Sequence, residues 1–323
     1  MFHIYDKTED VTHEIKINTH DSYCELKSAI IKKASLADYK HRQLYVHIPY
    51  CFFHCNFCVY RGDLLKSKKQ ISEYCELFKR EILHLKPLFN GTTFQSVFIG
   101  GGTVTVLGED QLEELIASLR ESFNFDMSKS EFTVELAPHG LSDRKIEVLR
   151  PSGVNRVSLG IQSLDVDLLK SMNRPAITEA KIKKIISSIN GHSFSDFNVD
   201  LMVGVNGRSL ENLYSDFRKL SDWGVESIMV YINMEDYRGS YTINKNLKNI
   251  ELLEQLYERV SGEYNLNNGE GVNEYNRFRL RKKESAPIFD NRYSTNFKGD
   301  DTFCLGLGRQ AKSWTNEMVF YYS

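Results

Sequence analysis

The chain has 323 residues, a formal net charge of −2 and a hydrophobic fraction of 41%. This charge is too small to indicate a surface that attracts nucleic acid or membrane, and the hydrophobic fraction argues against a largely disordered chain. Residues 1–10 lack the basic and then apolar order of a signal peptide, and no apolar run is long enough to cross a bilayer. We therefore expect a cytoplasmic protein with one large α/β domain or two smaller ones.

Strand-like and helix-like segments alternate between residues 43 and 232. Short apolar runs rich in β-branched residues predict strands at 44–48, 96–99, 132–136, 156–161, 197–203 and 227–232. Apolar residues at helical spacing predict helices at 71–85, 111–123, 143–149, 164–172, 179–189 and 210–223. This order predicts parallel strands joined by right-handed crossovers, in an open doubly wound sheet or a full or partial β/α barrel. Both place ligands at the carboxyl ends of the strands.

The two flanking segments are harder to interpret. Residues 1–42 are polar and rich in lysine, and residues 253–260 have helical spacing. Residues 265–323 are rich in Asn, Arg, Lys and Tyr without a clear period, which is typical of an irregular extension or a small added layer. We therefore predict an N-terminal extension at 1–42, a core at 43–240 and a C-terminal extension at 241–323.

Three of the six cysteines form a Cys-x3-Cys-x2-Cys motif at Cys51, Cys55 and Cys58, directly after the first predicted strand. Three thiolates on one loop can ligate three irons of a cubane cluster and leave the fourth iron open to a small chelating molecule. A zinc site completed by His54 or His47, or three buried small hydrophobic residues, are the alternatives. A zinc ribbon needs a second Cys or His pair, which the sequence lacks.

The remaining cysteines are Cys24, Cys75 and Cys304, and we expect them to be structural, with a role for Cys304 in substrate chemistry as a minor alternative. We expect His54, between two of the motif cysteines, to face solvent.

Glycines and polar residues recur where the predicted strands end. Gly100, Gly101 and Gly102 precede Thr103 at the end of the second strand, where they permit close approach of a ligand to the backbone. Glu135, Gln162 and Asp200 close or interrupt the next three apolar runs. Each of these three side chains has a structural explanation by itself, but one per strand predicts a polar ring around a ligand.

Together these motifs resemble the oxygen-independent coproporphyrinogen oxidase group of radical S-adenosylmethionine (SAM) proteins. The resemblance runs in register from about Tyr45 to Met234. It is carried by Tyr45-Val-His-Ile-Pro and the cysteine motif, Gly100-Gly-Gly-Thr103, Val134-Glu-Leu-Ala-Pro138, Gly153-Val-Asn-Arg-Val-Ser-Leu-Gly-Ile-Gln162 and Asn198-Val-Asp-Leu-Met-Val-Gly204.

The resemblance implies a partial (β/α)6 TIM-like barrel of the radical SAM type, a [4Fe–4S] cluster on Cys51, Cys55 and Cys58, and bound SAM. It also implies roles at the matching positions. Phe57 contacts the adenine, and Gly101, Gly102 and Thr103 hold the methionine end. Glu135, Gln162, Arg174 and Asp200 meet polar groups of SAM, with the ribose as partner of Asp200, and Tyr45 and Met234 line the pocket.

The sequence departs from the group at three places. Tyr60 stands where many of these oxidases have a fourth cysteine, and Arg292-Tyr-Ser-Thr-Asn-Phe297 lacks the histidine of the haem-chaperone branch. The segment Gly306-Leu-Gly-Arg-Gln-Ala-Lys-Ser313 lacks one glycine and the histidine of the late motif of the group. These departures place porphyrinogen decarboxylation in question and leave the SAM chemistry untouched.

The resemblance implies reductive cleavage of SAM to a 5′-deoxyadenosyl radical that abstracts hydrogen from a small-molecule substrate. The substrate is a tetrapyrrole or a natural-product intermediate, and a low-potential donor such as flavodoxin or ferredoxin is implied. Two alternatives stay open at this stage: a methyltransferase that uses two SAM molecules, and a non-catalytic haem-chaperone-like carrier.

Overall fold

The structure is a computed structural model that describes residues 1–34, 36, 39–58, 60–205, 207–233, 243–266, 277–284 and 301–323. Its strands are β1 (Phe2–Asp6), β2 (Val11–Ile15), β3 (His41–Ile48), β4 (Tyr50–Cys51), β5 (Asp63–Leu64), β6 (Ser96–Gly101), β7 (Glu131–Leu136), β8 (Arg156–Gln162), β9 (Asp196–Val203), β10 (Ser227–Ile232), β11 (Tyr264–Leu266), β12 (Arg277–Lys282), β13 (Thr302–Leu307), β14 (Ser313–Trp314) and β15 (Met318–Tyr322). Its helices are α1 (His20–Lys33), α2 (Lys68–Leu85), α3 (Glu109–Ser122), α4 (Asp143–Leu149), α5 (Val166–Ser171), α6 (Glu179–Gly191), α7 (Leu210–Asp222) and α8 (Ile243–Val260).

Six parallel strands form the centre of the fold. β3, β6, β7, β8, β9 and β10 are hydrogen-bonded in chain order, and at least one helix follows each strand before the next. All six predicted strands are present, and the order confirms the expected (β/α)6 arrangement of a radical SAM type. Because parallel strands need long crossovers, the helices cover the sheet and its strands are almost entirely buried.

The helices begin where side chains bind the first free backbone N–H groups. The hydroxyls of Thr19, Ser142 and Ser209 accept hydrogen bonds at the starts of α1, α4 and α7. The carboxylate of Asp165 accepts from the N–H groups of residues 167 and 168, so α5 begins at Val166 and is shorter than the predicted helix at 164–172. None of the helices in the described ranges is long and apolar enough to span a membrane.

The two flanking segments add strands to the same sheet. β13 pairs in parallel with β3, and β14, β15, β1 and β2 continue the sheet outward in antiparallel pairs. On the other side, β12 pairs antiparallel with β10, and β11 pairs antiparallel with β12. The expectation of an irregular extension or a separate layer is therefore wrong for residues 301–323, which form sheet strands. The division at residues 42 and 240 stays a prediction.

A buried ion pair attaches the first helix to this added strand. Lys27 of α1 donates to Glu81 of α2 at 2.7 Å, and both side chains are 1% exposed. Lys27 also donates to the carbonyl of Gly306, and the N–H of Gly308 donates to Glu81 at 2.9 Å. Removing one partner of a buried pair leaves an uncompensated charge, so these contacts fix α1, α2 and the end of β13 together.

Candidate active site

The cysteine loop, residues 51–58, leaves the sheet at the carboxyl end of β3. Cys51 lies in the short strand β4, which pairs with β5 so that Cys51 is opposite Leu64. The N–H of Leu65 donates to the carbonyl of Cys51 at 2.9 Å. The guanidinium of Arg61 donates to the carbonyls of Cys58 at 3.1 Å and Asn56 at 2.8 Å. The backbone of the loop is therefore held by the segment that follows it.

The three thiols of this loop are free and close to the surface. Cys51 and Cys55 are each 7% exposed, and Cys58 is half-buried. Burial raises the pKa of Cys58 to about 11. Burial also raises the pKa of Cys55, although the positive charge of Arg174 partly lowers it again. The Nη1 of Arg174 donates to the Sγ of Cys55 at 3.5 Å. A cluster that takes up these groups as thiolates displaces their protons.

The donor chemistry of this loop suits an iron–sulfur cluster. Three free thiols on one loop are the donor set of a cubane, in which each thiolate binds a separate iron. Among the residues that the structure describes, no three His, Cys, Asp or Glu side chains are grouped so that they could hold one metal ion. The Nε2 of His54 is hydrogen-bonded to the carbonyl of Gly62 at 2.8 Å, and the side chain is half-buried, so its exposure to solvent stays a prediction.

The glycine turn at the end of β6 packs directly on this loop. The N–H of Gly102 donates to the carbonyl of Ile48 at 2.8 Å, and a Cβ at residue 102 would lie 3.0 Å from the Sγ of Cys51. Gly101 has a φ of +106°, and a Cβ there would lie 2.8 Å from the ring of His47. Thr103 follows in an extended conformation. Only glycine fits both places, because a Cβ at either residue collides with the neighbouring strand or loop.

The three polar residues predicted at successive strand ends lie on β7, β8 and β9. The carboxylate of Glu135 accepts a hydrogen bond from the N–H of Gly101, and the charge of Asp200 acts on it. Burial, followed by the charge of Asp200, raises the pKa of Glu135 to about 7. Asp200 accepts from Asn198 at 2.7 Å and from Ser158 at 3.3 Å. Glu135 and Asp200 therefore form one electrostatic unit beside the glycine turn.

Gln162 has an unusual backbone at the end of β8. Its φ is +72°, and the pairing of β8 with β9 shifts register between Gly160 and Gln162. Such a conformation costs about 1–3 kcal/mol in a residue other than glycine and persists only where the surroundings hold it. A Cβ at Gly160 would lie 3.0 Å from the side-chain nitrogen of Gln162 and 4.0 Å from Arg174, so these two polar side chains flank the same glycine.

A buried arginine holds this backbone in place. The Nη1 of Arg208 donates to the carbonyl of Gln162 at 2.9 Å and to that of Met202, so it connects the ends of β8 and β9. Its Nη2 forms an ion pair with Asp216 of α7, and the two side chains are 0% and 5% exposed. Asp216 also accepts from the hydroxyl of Ser163 at 2.8 Å. Arg208 thus links the two strands that carry Gln162 and Asp200.

A small apolar cluster lies beside these polar groups and separate from the main core. Phe57 of the cysteine loop and Tyr231 of β10 pack against it, and its buried members are Leu168, Met172, Met202 and Val205. Phe57 therefore has an apolar neighbourhood near the carboxyl ends of the strands. Met234, which the sequence analysis also assigned to the pocket, lies outside the described residues.

The other predicted residue, Tyr45, lies on β3 next to the glycine turn. Its hydroxyl is 2.8 Å from the Nδ1 of His47, and its ring is 6.1 Å from that of Phe98. Burial, followed by the charge of Arg309, lowers the pKa of His47 to about 4, so the imidazole is neutral at pH 7. Cys304 is fully buried three residues before β13 ends, and burial raises its pKa well above the ordinary value, which gives no support to a reactive role.

The sequence analysis missed several residues that shape the site. Arg208 and Asp216 stand in ordinary loop and helix sequence, with no local pattern that marks a buried pair. The apolar members Met172 and Met202 are indistinguishable from core residues by periodicity alone. The ring of His139 lies 4.6 Å from that of Phe53, a neighbour of the cysteines. Its place directly after the Pro138 motif is a sequence feature that could have identified it as a residue of the site.

Comparison with known proteins agrees with this geometry. Residues 45–220 match the model of the radical SAM superfamily. The heme chaperone HemW of Lactococcus lactis subsp. lactis (strain IL1403) is 28% identical over 284 residues, which cover 85% of this chain and 70% of that protein. The oxygen-independent coproporphyrinogen III oxidase of Escherichia coli (strain K12) is 27% identical over 209 residues, which cover 65% of this chain and 45% of that protein.

A solved structure shares the fold. Coproporphyrinogen III oxidase (HemN) from Escherichia coli superposes with a TM-score of 0.71 at 21% identity, over 89% of this chain and 68% of that one. The HemW of Bacillus subtilis (strain 168), 30% identical over 193 residues, is matched over 50% of its length, so the chain spans from about half to 70% of these curated relatives. The family match covers more than half of the chain and includes the cysteine loop, the glycine turn and the three polar strand ends, and the chain therefore belongs to the radical SAM superfamily, whose cofactors are a [4Fe–4S] cluster and SAM.

Proposed function

We propose that this protein is a radical SAM enzyme that cleaves SAM reductively and removes hydrogen from a small-molecule substrate. The observation that carries the proposal is the contact between the cysteine loop and the glycine turn, where a Cβ at Gly102 would lie 3.0 Å from the Sγ of Cys51. A ligand held by the backbone of this turn lies beside the thiols that would bind the cluster. This proximity supports the proposal that a chelating cofactor on the turn would lie near the open iron of a bound cluster.

The residues divide the work of binding between the two ends of SAM. Cys51, Cys55 and Cys58 hold the cluster, which when bound supplies one electron to the sulfonium of SAM and yields methionine and a 5′-deoxyadenosyl radical. Gly101, Gly102 and Thr103 offer backbone groups to the amino and carboxylate end. The carboxylate of Glu135 lies against the N–H of Gly101 and faces the same end.

The nucleoside end is assigned to β8, β9 and the small apolar cluster. Gln162 and Asp200 offer an amide and a carboxylate for the ribose hydroxyls, and Asn198 and Ser158 orient the carboxylate of Asp200. Phe57 and the apolar cluster provide a flat surface for the purine and exclude water from it. Tyr45 is a further lining residue in this proposal, and Arg174, which contacts Cys55 and Phe53, connects both halves.

The charge of Glu135 depends on what is bound next to it. With a pKa of about 7 it retains much of its proton near neutral pH, because burial and the charge of Asp200 disfavour the carboxylate. A ligand ammonium group placed beside its oxygens favours the ionised form. SAM binding is therefore expected to release a proton from Glu135 below about pH 7.

The direct test is anaerobic reconstitution with iron and sulfide, followed by reduction with dithionite in the presence of SAM and quantification of 5′-deoxyadenosine. The wild-type protein is expected to form it, and Cys55→Ala is expected to lose both the cluster absorbance and the product. Cys75→Ala is the matched control, because Cys75 is also buried but lies on α2. Uptake of zinc in place of the cluster, or equal product from Cys55→Ala, contradicts the proposal.

The fate of the substrate radical distinguishes two enzyme classes. Oxidation or rearrangement of a tetrapyrrole or other small molecule, as in a coproporphyrinogen oxidase-like reaction, is the function we favour, and methylation with a second SAM is the alternative. Reaction with SAM that carries an isotopic label in its methyl group separates them. Label in the product supports methylation, and unlabelled product excludes it.

A carrier function is favoured by a separate observation, since two of the relatives described above are named heme chaperones. Titration with haem, followed in the visible spectrum, tests it directly. Stoichiometric haem binding by a reconstituted protein that forms no 5′-deoxyadenosine favours the carrier, whereas 5′-deoxyadenosine formation without haem binding favours the enzyme.

A further inference from the structure

The cysteine loop is followed at the surface by a group of exposed apolar side chains. Phe52 is 41% exposed, Tyr60 is 71% exposed and Leu64 is 43% exposed, all within thirteen residues of sequence. Leu64 pairs with the cysteine Cys51 across β4 and β5. Exposed apolar side chains are typical of contact sites, and Phe52 and Leu64 are neighbours of Cys51 in sequence and in strand pairing, respectively.

Basic residues surround these side chains. Residues 52–69 contain Arg61, Lys66, Lys68 and Lys69 but only one acidic residue, Asp63, so the segment carries a net charge of +3 in a chain whose net charge is −2. The four basic residues are all exposed. Asp63 is ion-paired with Arg309 and Lys69 with Glu73 of α2, so the net charge including these two partners is still +3. We call this surface, residues 52–58 and 60–69, the basic apron. Its sign is opposite to that of the whole molecule.

The apron is coupled to the cysteine loop through the backbone. Arg61 donates to the carbonyls of Asn56 and Cys58, and the N–H of Leu65 donates to that of Cys51. Cys58 is itself half-buried. A protein bound on the apron therefore contacts the segment whose side chains and backbone hold the cysteine loop.

We infer that the basic apron is the docking surface for the electron donor, and that the donor is a small acidic one-electron carrier protein. This inference rests on the proposed function, which requires an electron at the cluster. A carrier must bring its redox centre close to the cluster, and the apron is the described surface attached to the ligand loop itself. A small apolar centre with a charged rim is typical of weak electron-transfer complexes, which bury little area. A local charge of +3 attracts a negatively charged partner that the rest of the molecule repels.

The test compares two pairs of adjacent lysines. Lys68→Glu with Lys69→Glu reverses two charges on the apron. Lys32→Glu with Lys33→Glu makes the same change at the end of α1, which precedes β3 in the chain, whereas the cysteine loop follows β3. The reconstituted proteins are reduced anaerobically by an acidic flavodoxin in its hydroquinone form, and cluster reduction is followed by stopped-flow absorbance at several salt concentrations. The apron variant is expected to lose about 10-fold in the second-order rate constant at low salt and to show a weaker salt dependence.

Reduction by dithionite separates this inference from the proposed function. Both variants are expected to keep the wild-type yield of 5′-deoxyadenosine with dithionite, because neither pair contacts the cysteines. If the wild type forms none with dithionite, the proposed function fails. If the wild type is active but both lysine pairs slow the flavodoxin reaction equally, or neither does, the docking surface is elsewhere. Rates independent of salt in the wild type contradict the inference as well.

Discussion

Replacing Arg208 tests whether the nucleoside end of the site depends on a buried ion pair. Arg208→Met leaves the carboxylate of Asp216 without its cation and removes the donor shared by the carbonyls of Gln162 and Met202. Breaking a buried pair from one side costs about 3–5 kcal/mol of stability. Arg208→Lys retains the positive charge but loses the planar fork that reaches two carbonyls and a carboxylate at once, so it is the milder variant for binding measurements.

The expected effect on SAM follows from the backbone of Gln162. A left-handed φ in this residue costs about 1–3 kcal/mol, and without Arg208 the loop relaxes and must be reordered when SAM binds. A penalty of about 1–3 kcal/mol weakens the dissociation constant roughly 5- to 150-fold. Equilibrium binding of SAM to the reconstituted Arg208→Lys protein measures this, and the thermal midpoint of each variant reports its stability.

The matched control is Arg218→Met on α7, the helix that carries Asp216. Arg218 forms a partly exposed ion pair with Glu263 at 2.7 Å, and its loss is expected to cost about 1 kcal/mol or less. It is expected to leave SAM affinity unchanged. The reasoning is refuted if Arg208→Lys binds SAM as tightly as the wild type, or if Arg218→Met weakens SAM binding to the same extent.

Three further substitutions address other parts of the molecule. Gly102→Ala is expected to lower the iron content after reconstitution, because its Cβ collides with the cysteine loop. Gly191→Ala is the control, because a Cβ there meets open space, and it is expected to retain full iron content in the same chemical assay. Glu135→Gln is expected to gain stability relative to the wild type as the pH rises from about 4.5 to above 7, because the raised pKa means that ionisation of Glu135 destabilises the folded state. The expected gain is about 3 kcal/mol in urea unfolding of the cluster-free protein, and a difference that does not change with pH contradicts this. Lys27→Met is expected to destabilise the protein by about 3–5 kcal/mol in the same unfolding assay, since the charge of Glu81 is left buried and unpaired, and a loss below 1 kcal/mol contradicts a coupling role for this pair.

The central strands were predictable because buried parallel strands appear as short apolar runs. The segment 227–232 and the helix at 143–149 have the predicted bounds, and the cysteine motif marked its own loop. Pairing between distant segments leaves no such local pattern. β13 has an apolar sequence of its own, but nothing nearby in the chain indicates that it lies parallel to β3.

The polar groups of the site were only partly predictable, because local sequence does not record tertiary contacts. Glu135, Gln162 and Asp200 are polar residues that close or interrupt apolar runs, so the sequence pattern identified them. Arg208 is different, because a buried arginine in a loop has the same sequence appearance as an exposed one. Its role comes from tertiary contacts with two strands and a helix, and those contacts are set by the fold as a whole.

The parallel pairing of β3 with β13 has a consequence for the order of biosynthesis. Residues 41–48 leave the ribosome about 260 residues before residues 302–307, which cover one edge of this strand. During that interval the strand that leads into the cysteine loop has an open row of N–H and C=O groups, which is a template for pairing with other chains. Closure over so long a loop is slow, so the nascent chain needs protection from aggregation until its last strands emerge.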